Sequence, residues 1–156
     1  MSFYRKQKAL GKVRNATPIQ IDGIKFRSKL EGYCYKKLKQ NNIPFKYEED
    51  KFILVPPFEF NNDSFELVKK GDQKEFKRAD PRIRPMSYTP DFTNLDHGWI
   101  IECKGNPNDA FPLRWKLFKK YIMDNDLKLD LFLPRNQKQV NACIEQILRK
   151  INNKKK

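Results

Sequence analysis

Residues 99–104, Trp-Ile-Ile-Glu-Cys-Lys, constrain the fold of this chain more than any other stretch. Alternate side chains of an extended segment face opposite ways. Trp99, Ile101 and Cys103 therefore form one apolar row that needs a covering layer, while Glu102 and Lys104 project together from the other face. A carboxylate and an ammonium on so apolar a strand need partners or a polar cleft. The expected arrangement is a strand with helix against one face and a cleft on the other.

Asp91 belongs to the same feature. It follows Tyr88-Thr89-Pro90, and Asn94-Leu95-Asp96-His97-Gly98 reads as a turn that folds the next strand back alongside. That pairing predicts Asp91 beside Glu102. Two carboxylates, with the backbone carbonyl of Cys103 between them, are hard oxygen ligands suited to Mg²⁺ or Mn²⁺. Lys104 is then placed to orient or deprotonate a water and to offset charge on phosphorus, which points to phosphodiester hydrolysis. The same spacing also fits a turn aspartate beside an exposed ion pair on a sheet, and spacing alone does not choose between the two.

Charge supplies the context. Lys and Arg number 33 against 19 Asp and Glu in 156 residues, a formal net charge of +14, which favours a polyanionic partner. No apolar run approaches a membrane span and no signal peptide is recognisable, so nucleic acid is expected ahead of a lipid surface. With 38% hydrophobic and 13% aromatic residues the chain can bury one core, so a single domain is expected. Cys34, Cys103 and Cys143 lack paired-ligand spacing, which argues against zinc or a disulfide framework and suits a reducing, cytoplasmic compartment. His97, the one histidine, falls in the expected turn and reads as a solvated loop residue.

Along the chain, residues 1–18 read as a basic arm in which Arg5, Lys6, Lys8, Lys12 and Arg14 can track phosphates. Phe26, Leu30, Cys34 and Leu38 recur at helical spacing, and the helix is expected to stop near Asn41-Asn42. Glu31 flanks that stripe. It can reach a cleft, but Ser28-Lys29-Leu30-Glu31 also fits a capping box, and spacing favours the cap. Strands are expected at 45–47, 51–55 and 58–60, with Pro56-Pro57 forcing a kink.

Residues 61–87 are the least regular, with a hairpin or ordered loop as plausible as disorder. Their cations, among them Lys69, Lys70, Arg78, Arg82 and Arg84, suggest a flap against substrate. A helix over 111–123 should bury Leu113, Leu117, Phe118, Tyr121 and Ile122 and turn Arg114 and Lys116 outward toward a DNA backbone. Leu127, Leu129, Leu131 and Leu133 alternate as a strand. A last helix from about Asn136 buries Val140, Ile144, Ile147, Leu148 and Ile151, ahead of a Lys-rich tail at 153–156.

The resulting order is mixed α/β, and it resembles the αβββαβ core of PD-(D/E)xK nucleases, whose name-giving motif is matched by Pro90-Asp91 and Glu102-Cys103-Lys104. Phe26-Arg27-Ser28-Lys29-Leu30-Glu31, Ile43-Pro44-Phe45-Lys46-Tyr47-Glu48-Glu49 and Tyr88-Thr89-Pro90-Asp91-Phe92 extend the likeness to the phage endonuclease I family of Holliday-junction resolvases. The resemblance covers roughly residues 26–105, with 61–87 as an insertion. It implies a Mg²⁺- or Mn²⁺-dependent homodimeric endonuclease acting on branched DNA in phage DNA processing, within the host cytoplasm.

The resemblance also implies that Glu31 joins Asp91, Glu102 and Lys104, with Glu31 near a second metal. Arg27 is counted with the DNA-contacting cations. Short segments, 22–26 and 111–118, also resemble small phage proteins of this fold with no assigned activity. A non-catalytic nucleic-acid-binding protein on the same scaffold therefore stands as one alternative. A transposon-type, restriction-type or exonucleolytic enzyme is another.

Overall fold

A computed structural model describes residues 17–153. The expected basic arm, with Arg5, Lys6, Lys8, Lys12 and Arg14, lies outside them, as do residues 154–156. The described chain opens with a small hairpin, β1 (Ile19–Ile21) and β2 (Ile24–Phe26), closed by Asp22 and Gly23 with φ of 52° and 78°. Left-handed geometry at both turn residues matches the right-handed twist of the strands, which is why an Asp-Gly pair closes it. Helix α1 (Lys29–Gln40) follows, ending at Asn41 with Asn42 in the left-handed region. Phe26, expected on the first helical turn, instead ends β2, and its buried ring packs against Tyr35 and Tyr47.

Strand β3 (Lys46–Tyr47) leads into an antiparallel excursion. Its outgoing strands are β4 (Phe52–Val55), β5 (Phe58–Glu59) and β6 (Phe65–Lys70), and its returning ones β7 (Gln73–Arg78), β8 (Arg82–Ile83) and β9 (Met86–Tyr88). They pair in nested order, β6 with β7, β5 with β8 and β4 with β9, so residues 52–88 form one long interrupted hairpin. Pro56-Pro57 on the outgoing side, and Pro81 and Pro85 on the returning side, lack an N–H for the ladder and break the ribbon into three short pieces. The irregular stretch 61–87 is therefore an ordered ribbon.

The chain returns through β10 (Phe92–Asn94) and β11 (Trp99–Ile101), then α2 (Phe111–Asp124), β12 (Asp130–Phe132) and α3 (Gln137–Asn153). The central sheet has order β12-β11-β10-β3, with the β11/β12 pair parallel and the other two antiparallel. The architecture is mixed α/β. The turn between β10 and β11 is the expected one, fixed by Asn94 Oδ1 accepting from the His97 N–H and by Gly98 at φ 73°. The leucine run narrows to three strand residues, with Leu127 left exposed and Leu129, Leu131 and Leu133 packed on the core.

Both faces of the sheet are covered. On one, Trp99, Ile101 and Cys103 pack with Cys34 and Leu38 of α1 and Val140, Ile144 and Ile147 of α3. On the other, Ile100 packs with Phe52, Tyr88 and the α2 residues Phe111, Trp115, Phe118 and Ile122. The α2 stripe is rotated from its expected position. Leu113 is exposed and Trp115 is buried, because the helix starts at the buried Phe111 and Trp115 lies one turn on along that line. Among the described residues no helix is long and apolar enough to cross a membrane.

Candidate functional site

The register of the central sheet assembles the site. Phe92 pairs with Ile101, and continuing that antiparallel register by one residue sets Asp91 directly opposite Glu102. Phe92 faces the α1/α3 layer, so Asp91 projects toward α2, the side that Ile100 and Glu102 share. Past the end of β11 the chain stays paired with the segment after β12, through Glu102 N–H to Phe132 O at 2.9 Å and Lys104 N–H to Pro134 O at 3.0 Å. Those bonds keep Glu102 and Lys104 on one face, where the Lys104 ammonium lies 3.4 Å from Glu102 Oε1 and 5.0 Å from the centre of the Phe111 ring.

Asp91 and Glu102 are both buried. Asp91 Oδ2 accepts from the Cys103 backbone N–H at 2.7 Å, and its Oδ1 lies 3.5 Å from the Arg27 guanidinium. Glu102 Oε2 and the Tyr88 hydroxyl are both buried without a well-formed hydrogen bond, and the two groups adjoin closely enough for the hydroxyl to act on the Glu102 carboxyl. Burial, then the neighbouring charges of Glu102 and Glu31, push the Asp91 carboxyl well above the usual range. Glu102 is raised too, chiefly by burial, with Lys104 working against the shift. Burial, with the negative charge of Glu102 next, raises Tyr88 and keeps its proton on. The two buried carboxyls face each other, and their nearest positive charges are Arg27, 3.5 Å from Asp91, and Lys104, 3.4 Å from Glu102.

These residues fit a hard divalent cation. Asp91 and Glu102 supply oxygens, and the Cys103 N–H points at Asp91, so its carbonyl faces the same edge, where Pro90 has no N–H to occupy it. Among the described residues no three His, Cys, Asp or Glu side chains converge tightly enough to hold a metal by themselves. Mg²⁺ commonly takes only one or two protein carboxylates and keeps several waters.

Glu31 is engaged elsewhere. Its Oε1 accepts from the Ser28 hydroxyl and its Oε2 from the Arg27 N–H and the Tyr47 hydroxyl, while Ser28 Oγ accepts from the Glu31 N–H. The capping box is present, shifted so that the returning bond goes to the residue before the cap. Glu31 is close enough for its charge to be felt at Asp91, yet its oxygens serve the helix start.

A cleft of about 410 Å³ opens over Glu102 and Lys104, lined also by Arg27, Glu48, Tyr88, Asn108, Phe111 and Arg114. Arg27 bridges Glu48 and Asp91, and Arg114 donates to Ser87 O at 3.1 Å. Of the expected DNA-contacting cations, Arg27 and Arg114 reach the cleft and Lys116 is exposed on the outer side of α2. Lys69, Lys70, Arg78, Arg82 and Arg84 ride on the hairpin away from it, with Arg78 paired to Asp63 and Arg82 to Asp80.

Glu48, Tyr88 and Phe111 were not legible as site residues. Glu48 is held at φ 51° with its N–H on Asp91 O and its carboxylate on Arg27, and these tertiary contacts bring it to the cleft. Residues 12–135 match the model of a family described as Protein of unknown function (DUF1064). No curated protein and no solved structure matches the chain.

Proposed function

The chain belongs to the DUF1064 family, and we propose that its cleft is the active site of a divalent-metal-dependent DNA endonuclease with a PD-(D/E)xK core. The observation that carries this reading is the buried pair Asp91 and Glu102, set opposite each other with Glu102 Oε2 unmatched and Lys104 alongside. A structural ion pair on a sheet surface would expose its carboxylates and satisfy them. Here both are buried, and Glu102 lines an open polar cleft.

A bound Mg²⁺ or Mn²⁺ would neutralise the two carboxylates and polarise a phosphate oxygen. Asp91, Glu102 and the Cys103 carbonyl would hold it. Lys104, kept in place by Glu102 Oε1 and the Phe111 ring, is positioned to orient the attacking water and to stabilise negative charge on phosphorus. Arg27 and Arg114 at the cleft rim supply positive charge for flanking phosphates. Glu31 acts as a positioning residue, fixing the start of α1 and through it Arg27. The +14 formal charge supports a polyanionic substrate, and the likeness to phage endonuclease I supports branched DNA and a homodimer.

Candidate surfaces for that dimer are the Ile19–Ile21 strand, whose isoleucine side chains pack on Gly32 of α1, and the exposed edge of the sheet.

Purified protein incubated with supercoiled plasmid and with a four-way junction, with and without Mg²⁺ or Mn²⁺, tests the reading. Metal-dependent nicking that is lost in Asp91→Asn, Glu102→Gln and Lys104→Ala, with DNA binding retained, is the expected result. If no DNA form is cut under any metal, the assignment is wrong and the fold serves as a binding scaffold.

A further inference from the structure

The outer hairpin has two chemically different faces. In the β6/β7 register Phe65 lies opposite Arg78, Leu67 opposite Phe76, and Lys69 opposite Lys74, and these six side chains share one face. That face holds three apolar residues and three cations, and no carboxylate. The opposite face, with Glu66 against Lys77 and Val68 against Glu75, mixes both signs.

Phe65, Leu67 and Phe76 are 58%, 60% and 71% exposed, and the two rings lie 6.4 Å apart. Nothing in the core covers them. The ribbon is rooted at the cleft, since β9 leads into Tyr88 and Thr89 of the cleft wall and Arg114 ties Ser87 to α2. β6 alone extends about 20 Å at roughly 3.3 Å per residue.

We infer that this face binds unpaired nucleotides of a DNA substrate, stacking bases on Phe65 and Phe76 while Lys69 and Lys74 hold the adjoining phosphates. Base faces stack on aromatic rings whatever the sequence, and interleaved cations track the backbone of a single strand. Charge favours this occupant over a second copy of the chain. Arg78 is already paired to Asp63, and self-pairing through this face would still bring Lys69 and Lys74 against the same two lysines of the second copy. The inference rests on a DNA substrate, and it assigns the hairpin the task of selecting DNA with an unpaired segment.

The test measures binding in EDTA, so that cleavage plays no part, to an intact duplex and to the same duplex interrupted by a short single-stranded gap. The Phe65→Ala/Phe76→Ala variant changes only exposed side chains and should fold. It is expected to lose about 10- to 100-fold in affinity for the gapped DNA and less than about twofold for the intact duplex. The Lys69→Gln/Lys74→Gln variant should reduce the salt dependence of gapped-DNA binding.

An unchanged affinity for gapped DNA, or an equal loss on both forms, overturns the inference. So does a loss confined to phosphatidylserine vesicles, which would mark a membrane surface, or a wild-type dimer that the double Phe variant converts to monomer. Cleavage assayed separately with Mn²⁺ keeps the two readings apart. Selective loss of gapped-DNA binding in the double Phe variant, when the wild-type protein cuts nothing, refutes the endonuclease and leaves the hairpin inference standing. A protein that cuts but binds both forms as the variant does refutes the hairpin inference alone.

Discussion

At Asp91 and Glu102 the burial that the proposed chemistry would use works against stability. Both carboxyls have raised pKa values, chiefly from burial, so the folded chain retains protons that the unfolded chain releases once pH passes about 4. Stability in EDTA should therefore fall as pH climbs from the ordinary carboxylate range through the raised values. Asp91→Asn should flatten that decline and stabilise the metal-free protein by about 1 kcal/mol at neutral pH while abolishing cleavage. Urea titrations across pH check this, and a destabilised Asn variant would contradict it.

Gly98 shows the opposite constraint. Its φ of 73° is strained for any side chain, and an added Cβ would lie 2.8 Å from the Lys128 carbonyl oxygen, a backbone atom that cannot swing aside. Gly98→Ala should cost roughly 2 kcal/mol or more, read as a lowered thermal midpoint. The need for glycine was visible in the turn pattern, whereas the contact with Lys128 was not.

Among the elements, α1 and the long hairpin answer differently to sequence. The capping box at Ser28 and Glu31 was legible because a local hydrogen bond needs only the right spacing. Ser28→Ala should cost about 1 kcal/mol of stability while leaving metal-dependent cleavage largely intact, which a melting curve and a nicking assay together decide. The hairpin was legible only as one option beside an ordered loop or disorder, because its strands alternate weakly, are broken by prolines and bury little. Since the β5–β8 pieces contribute no buried core residue, replacing residues 61–80 by an Asn-Gly turn between Phe60 and Pro81 should shift the thermal midpoint by only about 2–4 °C. A collapse of the fold on this excision would show that the ribbon supports the core. Helix α2 illustrates a third case. Its helical period was plain, but which stripe turns inward depended on where the helix began, and so Trp115 replaced Leu113.

For the whole molecule, the excess of Lys and Arg sets the response to salt. If about four phosphates are neutralised, DNA affinity should fall roughly 10-fold for each doubling of monovalent salt, measured by fluorescence anisotropy in EDTA. A flat salt profile would separate the charge from the function. The amino-acid sequence by itself determined the alternation that puts Glu102 and Lys104 on one face, the turn that folds β11 back on β10, the three helices and the basic charge. These depend on backbone periodicity, turn chemistry and composition, which act over a few residues or over none in particular. Only the tertiary structure decided that Asp91 and Glu102 are both buried and that Glu102 Oε2 lacks a well-formed hydrogen bond. The same holds for Glu31 being committed to its cap and Tyr47, for Arg27 and Glu48 closing the rim, and for residues 52–88 standing out as a ribbon. Burial and hydrogen-bond satisfaction depend on which distant segments meet, and no local pattern in a chain carries that information.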